Sequence, residues 1–124
     1  SNPCSISQVA ALKALTTPDD WKRKMRSEFQ ARRDYLMKRI DAIPSLRYIK
    51  PEGAFYLFCQ IAKTGLSAKE FSMRLLKEEN VAVIPGDGFG CEEYIRLSFA
   101  TDIETIKKGI DRLERWVRQL PKKS

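Results

Sequence analysis

The side chain best suited to bind a charged ligand is an arginine that interrupts an apolar run. Segment 94–100 reads YIRLSFA, and alternation along a strand places Arg96 on one face with Tyr94 and Ser98, opposite the apolar side chains. Burying a guanidinium is unfavourable unless an anion meets it, and its planar shape fits a carboxylate through two parallel hydrogen bonds. From these residues alone, the partner of Arg96 is an acidic side chain of the protein, solvent, or a bound carboxylate.

The other polar residues do not form a recognisable catalytic set. The chain has no histidine, which excludes histidine-based triads and the usual general base near neutral pH. Ser98 could orient Arg96 but has no base beside it. No strand-end pairing marks a general acid and a general base among the loop carboxylates, which are Glu52, Asp87, Glu92 and Glu93. The residues therefore predict a carboxylate-binding site and no catalytic residue.

Two glycine-containing segments predict tight backbone geometry. Segment 85–90 reads PGDGFG, but no Gly-Lys-Ser/Thr follows and the next predicted element is a strand, so it does not match a phosphate-binding P-loop. We favour a tight turn whose backbone approaches a neighbouring surface. Gly53, which follows Pro51 and Glu52, predicts a chain bend at which another group can approach the backbone of Gly53 and Ala54.

Composition is that of an ordinary soluble globular domain. The 124 residues are 43% hydrophobic and 31% charged, and no apolar run approaches the roughly 20 residues of a membrane helix. We also expect no signal peptide, because no basic region precedes an apolar one at the start. The three cysteines have no paired spacing, so a metal site is not expected and free thiols indicate a cytoplasmic location.

The net charge of +7 raises the question of an acidic partner or a nucleic acid. Basic residues crowd into segment 22–26 and into the C-terminal turns. Glu28, Asp34 and Asp41 interrupt the first run, and no aromatic stacking platform accompanies it. We therefore interpret the basic residues as a solvated helix face and expect no nucleic-acid binding.

Hydrophobic periodicity predicts a helix, a long helix, two strands, a helix, two strands and a last helix. The first helix covers 5–15, and the second covers about 18–41 with a cap at Thr17. Capping boxes at Ser67 and Thr101 begin the last two helices. Strands are predicted at 47–49, 54–59, 81–84 and 94–99. The apolar run of the second strand indicates that both its faces are covered.

This order of elements predicts the fold class α/β (α+β). We expect a small mixed or antiparallel sheet of three to four strands with helices packed on it. A long domain-linking helix precedes the sheet. Its length, near 35 Å at about 1.5 Å per residue, is long for a domain of this size and suggests that it bridges two bodies.

Four motifs occur in an order that resembles a known family. They are the Ser-Asn-Pro start before a helix, PEGAFY at 51–56, VIPG at 83–86 followed by Phe89-Gly90, and YIRLSFA at 94–100. Together they resemble the C-terminal part of class I/II (fold type I) pyridoxal-phosphate-dependent aminotransferases of the aspartate aminotransferase kind. Each motif alone is weak, but the ordered set spans essentially the whole chain.

The resemblance implies a role for particular positions. Arg96 would bind the α-carboxylate of the amino-acid or 2-oxo-acid substrate, and Gly53 would border that substrate. Ser1 and Asn2 would lie near the active site of the partner subunit in a homodimer. Residues 1–17 would be the end of the large-domain region, and 18–124 the small C-terminal domain including the linking helix 18–41.

The resemblance also implies a cofactor that this chain does not hold covalently. The family binds pyridoxal 5'-phosphate through a lysine in a Ser-x-x-Lys-type stretch, and no lysine here has that context. The expected parent is therefore an aminotransferase that transfers an amino group between an amino acid, aspartate-like or related, and a 2-oxo acid. The chain alone is expected to be inactive without its large domain.

Other functions stay open at this point. The same fold and cofactor serve lyases and decarboxylating synthases, which upstream sequence and product analysis would separate from a transaminase. A non-enzymatic, basic α/β interaction domain is the alternative outside enzymes, and steep salt dependence of nucleic-acid binding would favour it. A regulator that has borrowed the fold would carry a DNA-binding segment upstream.

Overall fold

The computed structural model describes residues 2–18 and 20–121. Helices and short strands follow one another in the predicted order. The helices are α1 (Ser5–Thr16), α2 (Asp20–Asp41), α3 (Ala68–Glu79) and α4 (Ile103–Gln119). The strands are β1 (Arg47–Ile49), β2 (Tyr56–Gln60), β3 (Ile84–Pro85) and β4 (Tyr94–Ser98), with 3-10 turns at Ala62–Thr64 and Gly86–Phe89.

The strands form one antiparallel sheet in the order β1-β2-β4-β3. This confirms the predicted fold class and resolves the sheet as antiparallel. Arg96 lies opposite Phe58 of β2 on one side and Ile84 of β3 on the other, and Phe58 lies opposite Ile49 of β1. A row of four side chains therefore crosses the sheet on one face, with Arg96 in an interior position.

One face of the sheet is buried by helices. Leu57, Cys59, Ile95 and Leu97 point from β2 and β4 into the core. The helices α2, α3 and α4 supply most of the remaining core side chains, which include Leu36, Ile40, Phe71, Leu75, Ile106, Ile110, Leu113, Trp116 and Val117. Burial of this apolar surface is the main source of the domain's stability.

The opposite face of the sheet is not covered by the described residues. Tyr56 of β2 is 38% exposed, and Ile49 and Ile84 on the flanking strands are exposed as well. The prediction that β2 is covered on both faces is therefore wrong for the described residues, because its side chains alternate between buried and accessible positions.

Helix α2 is long, but its two halves have different surroundings. It has 22 residues, about 33 Å at the usual rise, and begins at Asp20 rather than at 18. Thr17 is the C-cap of α1, with its backbone N–H donating to the carbonyl of Lys13 at 3.0 Å. Its Oγ1 has no hydrogen-bond partner among the described residues, so the predicted capping contact to α2 is not seen there. The C-terminal half of α2 is buried at Leu36 and Ile40, whereas Trp21 in the N-terminal half is 44% exposed.

Helix α1 has no buried residue. Its apolar side chains are all strongly exposed, from 64% at Leu12 to 81% at Leu15. This confirms the predicted helix at 5–15. A helix with four large exposed apolar side chains is typical of a surface that packs against another part of a protein.

The predicted starts and ends of the other elements need three corrections. The Ser67 cap is confirmed, as its Oγ accepts from the N–H of Glu70 at 3.2 Å. The cap of α4 is Asp102 and not Thr101, because the Asp102 carboxylate accepts from the N–H of Thr105 at 2.9 Å. A hydrogen bond from the Thr105 hydroxyl, together with this backbone contact, lowers the pKa of Asp102 to about 2. The third strand pairs only at Ile84–Pro85, and the second begins at Tyr56.

No helix among the described residues is long and apolar enough to cross a membrane. The cysteines in this part of the chain are free, and Cys59 is buried. Burial raises the pKa of the Cys59 thiol to about 12. Cys59 therefore acts as a small apolar core residue rather than as a nucleophile.

The surroundings of Gly86 agree with the predicted close approach of backbone in the glycine-rich loop. A Cβ at Gly86 would lie 2.2 Å from the carbonyl oxygen of Cys91 and 2.6 Å from that of Tyr94, whereas a Cβ at Gly88 would meet nothing within 4 Å.

We predict that Gly86→Ala lowers the free energy of unfolding by about 1–3 kcal/mol because backbone must shift. Gly88→Ala should change it by less than about 0.5 kcal/mol. Chemical denaturation measures both, and equal effects would contradict this packing.

Candidate functional site

Arg96 lies on the open face of the sheet without a counter-ion. No carboxylate of the described residues comes within ion-pair distance of its guanidinium, and no hydrogen bond of that group is found there either. Of the three partners that the sequence left open, an internal salt bridge is thus excluded for the described part of the chain. The N–H donors of Arg96 remain available on this face.

The contacts that Arg96 does make are with aromatic rings. Its Cζ atom lies 5.1 Å from the ring centroid of Tyr56 and 5.3 Å from that of Phe89. Both distances are within the range of a cation–π interaction. Neither ring was identified from the sequence. Alternation along β2 could have placed Tyr56 on the face of Arg96, whereas nothing in the sequence indicates where the loop residue Phe89 points.

A shallow pocket of about 380 Å³ surrounds the arginine. Arg96 is the one charged residue among its described lining residues, and the rest are apolar or aromatic apart from backbone groups. The lining residues are Ile49, Pro51, Gly53, Ala54, Tyr56, Phe58, Phe89 and Arg96. The structure therefore brings the two predicted substrate-binding positions, Gly53 and Arg96, into the same pocket. One cation in an apolar surround suits a single anionic group, because low polarity strengthens its pairing.

The bend beside Gly53 has an unexpected geometry. The left-handed residue is Ala54, with φ of 60°, and not Gly53. A Cβ added to Gly53 would meet nothing within 4 Å. The sequence therefore predicted the position of the bend but not the positive φ of Ala54. An alanine held at positive φ stores strain that recurs at ligand-binding sites.

Two amides at the end of the glycine-rich loop are used in hydrogen bonds within the loop. The N–H of Cys91 donates to the carbonyl of Gly86, and the N–H of Gly90 donates to that of Asp87, both at 3.0 Å. These internal bonds use donors that a phosphate would require. This supports the prediction of a tight turn over that of a phosphate-binding loop.

The remaining predicted positions are not brought to this pocket. Asn2 is exposed ahead of α1 and is not among the pocket's lining residues, and Ser1 lies outside the described residues. Glu52 lines a separate pocket of about 520 Å³ between α2 and the bend. No group of histidine, cysteine or carboxylate side chains in the described part of the chain could hold a metal ion.

Pyridoxal phosphate requires an amine to hold it covalently. No lysine lies among the described lining residues of the Arg96 pocket. This pocket, as this chain forms it, therefore does not fit covalent attachment of the cofactor. What it offers is one cation that can pair with a carboxylate.

These features define a small α+β domain with one covered sheet face and one open face that carries an arginine site. The chain belongs to the aminotransferase class I and II family, whose model matches residues 1–113. Proteins of this family depend on pyridoxal phosphate.

Individual relatives agree with this assignment. The chain is 43% identical over 123 residues to an aspartate aminotransferase of Bacillus sp. strain YM-2, covering 95% of this chain and 31% of the relative. It superposes on the crystal structure of an aspartate aminotransferase from Rhizobium meliloti with a TM-score of 0.88 and 34% identity, covering 98% of this chain and 33% of that one. An aromatic aminotransferase from Pyrococcus horikoshii gives a TM-score of 0.82 and 42% identity, covering 90% and 31%. The chain thus spans about a third of the length of these relatives.

Substitutions at the bend distinguish backbone strain at Ala54 from a lack of space at Gly53. We predict that Ala54→Val lowers the free energy of unfolding by about 1–3 kcal/mol, because a β-branched residue is disfavoured at positive φ. Gly53→Ala should leave stability within about 1 kcal/mol of its original value, since the position is open and has no positive φ. Thermal or chemical denaturation of both variants checks this. A larger loss for Gly53→Ala than for Ala54→Val would contradict the geometry of the bend.

Proposed function

We propose that the protein carrying this chain is a pyridoxal-phosphate-dependent aminotransferase. It transfers an amino group between an amino acid, aspartate-like or related, and a 2-oxo acid. Family membership and the aminotransferase relatives support this activity. Arg96 binds the α-carboxylate of both substrates, and Gly53 borders them.

The observation that carries the proposal is the unpaired guanidinium on an apolar face. A charge in such surroundings is unfavourable without an anion, and the described residues provide none at Arg96. A substrate carboxylate would complete the pair with two parallel hydrogen bonds. Each hydrogen bond to a charged group contributes about 1.5–3 kcal/mol, so pairing can dominate the recognition of a small acid.

The role of this chain in the reaction is to position the substrate. Fixing the α-carboxylate restricts the orientation of the bonds at Cα, which lowers the entropic part of the barrier. The apolar lining of the pocket lowers the local polarity and thereby strengthens the ion pair. The cofactor would be held by the remainder of the protein, since the pocket lacks a lysine among its described residues.

We further propose the domain and subunit arrangement that the resemblance implies. Residues 1–17 end the large domain, and 18–124 form the small C-terminal domain, joined to it through the linking helix 18–41. The exposed apolar side chains of α1 and of the N-terminal half of α2 support contact with a large domain. Ser1 and Asn2 lie near the active site of the partner subunit in a homodimer, and the enzyme is cytoplasmic.

Substitution of Arg96 in the complete enzyme tests the proposed role. Arg96→Ala should lower kcat/KM for amino-acid substrates about 10- to 100-fold or more, with a raised KM and a reduced kcat, because the carboxylate loses its pairing and its orientation. Arg96→Lys should fall between, because lysine keeps the charge without the planar pair of donors.

Arg47→Ala is the matched control for this experiment. Arg47 is an exposed arginine of the same sheet that bonds to the carbonyls of Pro44 and Leu46, away from the pocket. Its substitution should leave the kinetic constants within about two-fold. Unchanged kinetics for Arg96→Ala would refute the proposed role of Arg96.

The 124-residue chain alone is predicted not to transaminate. It has the carboxylate site but no lysine in that pocket among the described residues. Incubation with pyridoxal phosphate and an amino-acid/2-oxo-acid pair should give no turnover above the rate of the free cofactor. Turnover clearly above that rate would show that the chain contains catalytic groups that this proposal does not assign to it.

A further inference from the structure

The two rings against Arg96 come from different parts of the fold. Tyr56 is the first residue of β2, the strand beside β4, and Phe89 ends the 3-10 turn Gly86–Phe89. Their centroids lie 5.1 and 5.3 Å from Cζ of Arg96. Two separate elements thus contact the guanidinium of Arg96, which is carried on a long, flexible side chain. This guanidinium is the group that binds the substrate carboxylate in the proposed function.

These ring contacts are compatible with free hydrogen-bond donors. A cation–π contact uses the face of the aromatic ring and needs no acceptor for the N–H groups, whereas a carboxylate pairs with the N–H groups in the guanidinium plane. The described residues accept no hydrogen bond from Arg96. The rings can therefore restrict the orientation of Arg96 without competing for the donors that a carboxylate needs.

Further aromatic contacts support the ring of Phe89. Phe58, directly opposite Arg96 in the sheet, meets the ring of Phe89 edge-on at 6.0 Å and 84°. Phe58 also stacks on Tyr94 at 4.9 Å and 13°. Phe89 is 52% exposed, so its position depends on these contacts and on the loop that carries it rather than on burial.

The glycine-rich loop determines where Phe89 lies. Gly86 is buried against the carbonyls of Cys91 and Tyr94 with no space for a Cβ. Gly90 closes the turn at φ of 72°, a conformation that glycine adopts without strain. Gly86 and Gly90 are therefore explained by the tight turn that presents Phe89 to Arg96.

We propose that Tyr56 and Phe89 are positioning residues that hold the guanidinium of Arg96 in the orientation that binds carboxylate, and that the glycine-rich loop serves to place Phe89. This inference rests on the proposed function, because it presupposes that Arg96 receives the substrate α-carboxylate. The loop at 86–90 then serves to place Phe89 rather than to bind phosphate.

The test measures carboxylate recognition rather than overall activity. In the complete holoenzyme, inhibition constants are determined for the 2-methyl analogue of the preferred amino acid, which has no α-proton to lose, and for its α-carboxamide. The ratio of the two constants reports discrimination in favour of the carboxylate. A general structural defect weakens both inhibitors together and leaves the ratio unchanged.

Tyr56→Leu and Phe89→Leu should each lower this ratio about 3- to 30-fold, in line with the strength of cation–π contacts. Tyr56→Phe and Phe89→Tyr should keep it within about two-fold, because a ring is retained. Both positions are partly exposed, so neither leucine variant opens a cavity in the core. The double leucine variant should lose more discrimination than either single one.

Phe55→Leu is the matched control, since Phe55 is an exposed aromatic next to Tyr56 that contacts Phe29 and does not line the Arg96 pocket. Its ratio should stay unchanged. If Arg96→Ala abolishes discrimination while both leucine variants retain it, the positioning role is wrong and the proposed function stands. If Arg96→Ala also retains it, the proposed function fails and the positioning role fails with it.

Discussion

The central physical constraint of the structure is the positive charge of Arg96, which lies on an apolar surface where the described residues provide no counter-ion. Arg96 occupies an interior position of the sheet, flanked by Phe58 and Ile84 in the adjacent strands. Pairing with a nearby carboxylate side chain would be the simplest way to stabilise such a group, yet the described residues provide ring faces instead. Ring faces offset part of the charge, and the described residues accept no hydrogen bond from the guanidinium. The site is thereby complementary to an anion supplied from outside the chain.

The layering of the domain keeps this site accessible. Helices α2, α3 and α4 bury one face of the sheet, so strand alternation turns every second side chain of β4 towards the uncovered face. Two tight segments frame that face: the bend with Ala54 at positive φ, and the turn in which Gly86 packs against backbone. The open face, α1 and the exposed half of α2 all carry large exposed apolar side chains, as expected of surfaces that pack against another part of a protein. A chain that spans about a third of its relatives' length fits this pattern.

The sequence predicts most of the fold because its local signals are strong. Alternation in 94–98 gives the correct faces of β4, and the cap at Ser67 gives the start of α3. Its errors arise where one local signal competes with another. Thr101 and Asp102 are both good caps, and the carboxylate makes the contact. The β-branched segment 81–84 has strand propensity, but a strand also needs a partner, and pairing begins only at Ile84.

The site is less predictable than the fold because it depends on contacts between distant residues. Arg96 is identifiable as a lone charge in an apolar strand, and the family resemblance adds Gly53. The positive φ of Ala54 and the position of the Phe89 ring follow from tertiary packing that no local pattern encodes. Similarly, the sequence could not show that none of the described carboxylates lies near Arg96, because this depends on where the acidic residues are placed in the fold.

A crystal structure of the complete protein with a bound substrate-like carboxylate tests the central claim most directly. We predict two N–H···O contacts of about 2.7–2.9 Å between the Arg96 guanidinium and the ligand α-carboxylate, with the rings of Tyr56 and Phe89 still against the guanidinium. An acidic side chain of the protein paired with Arg96, and the ligand carboxylate bound elsewhere, would contradict the account.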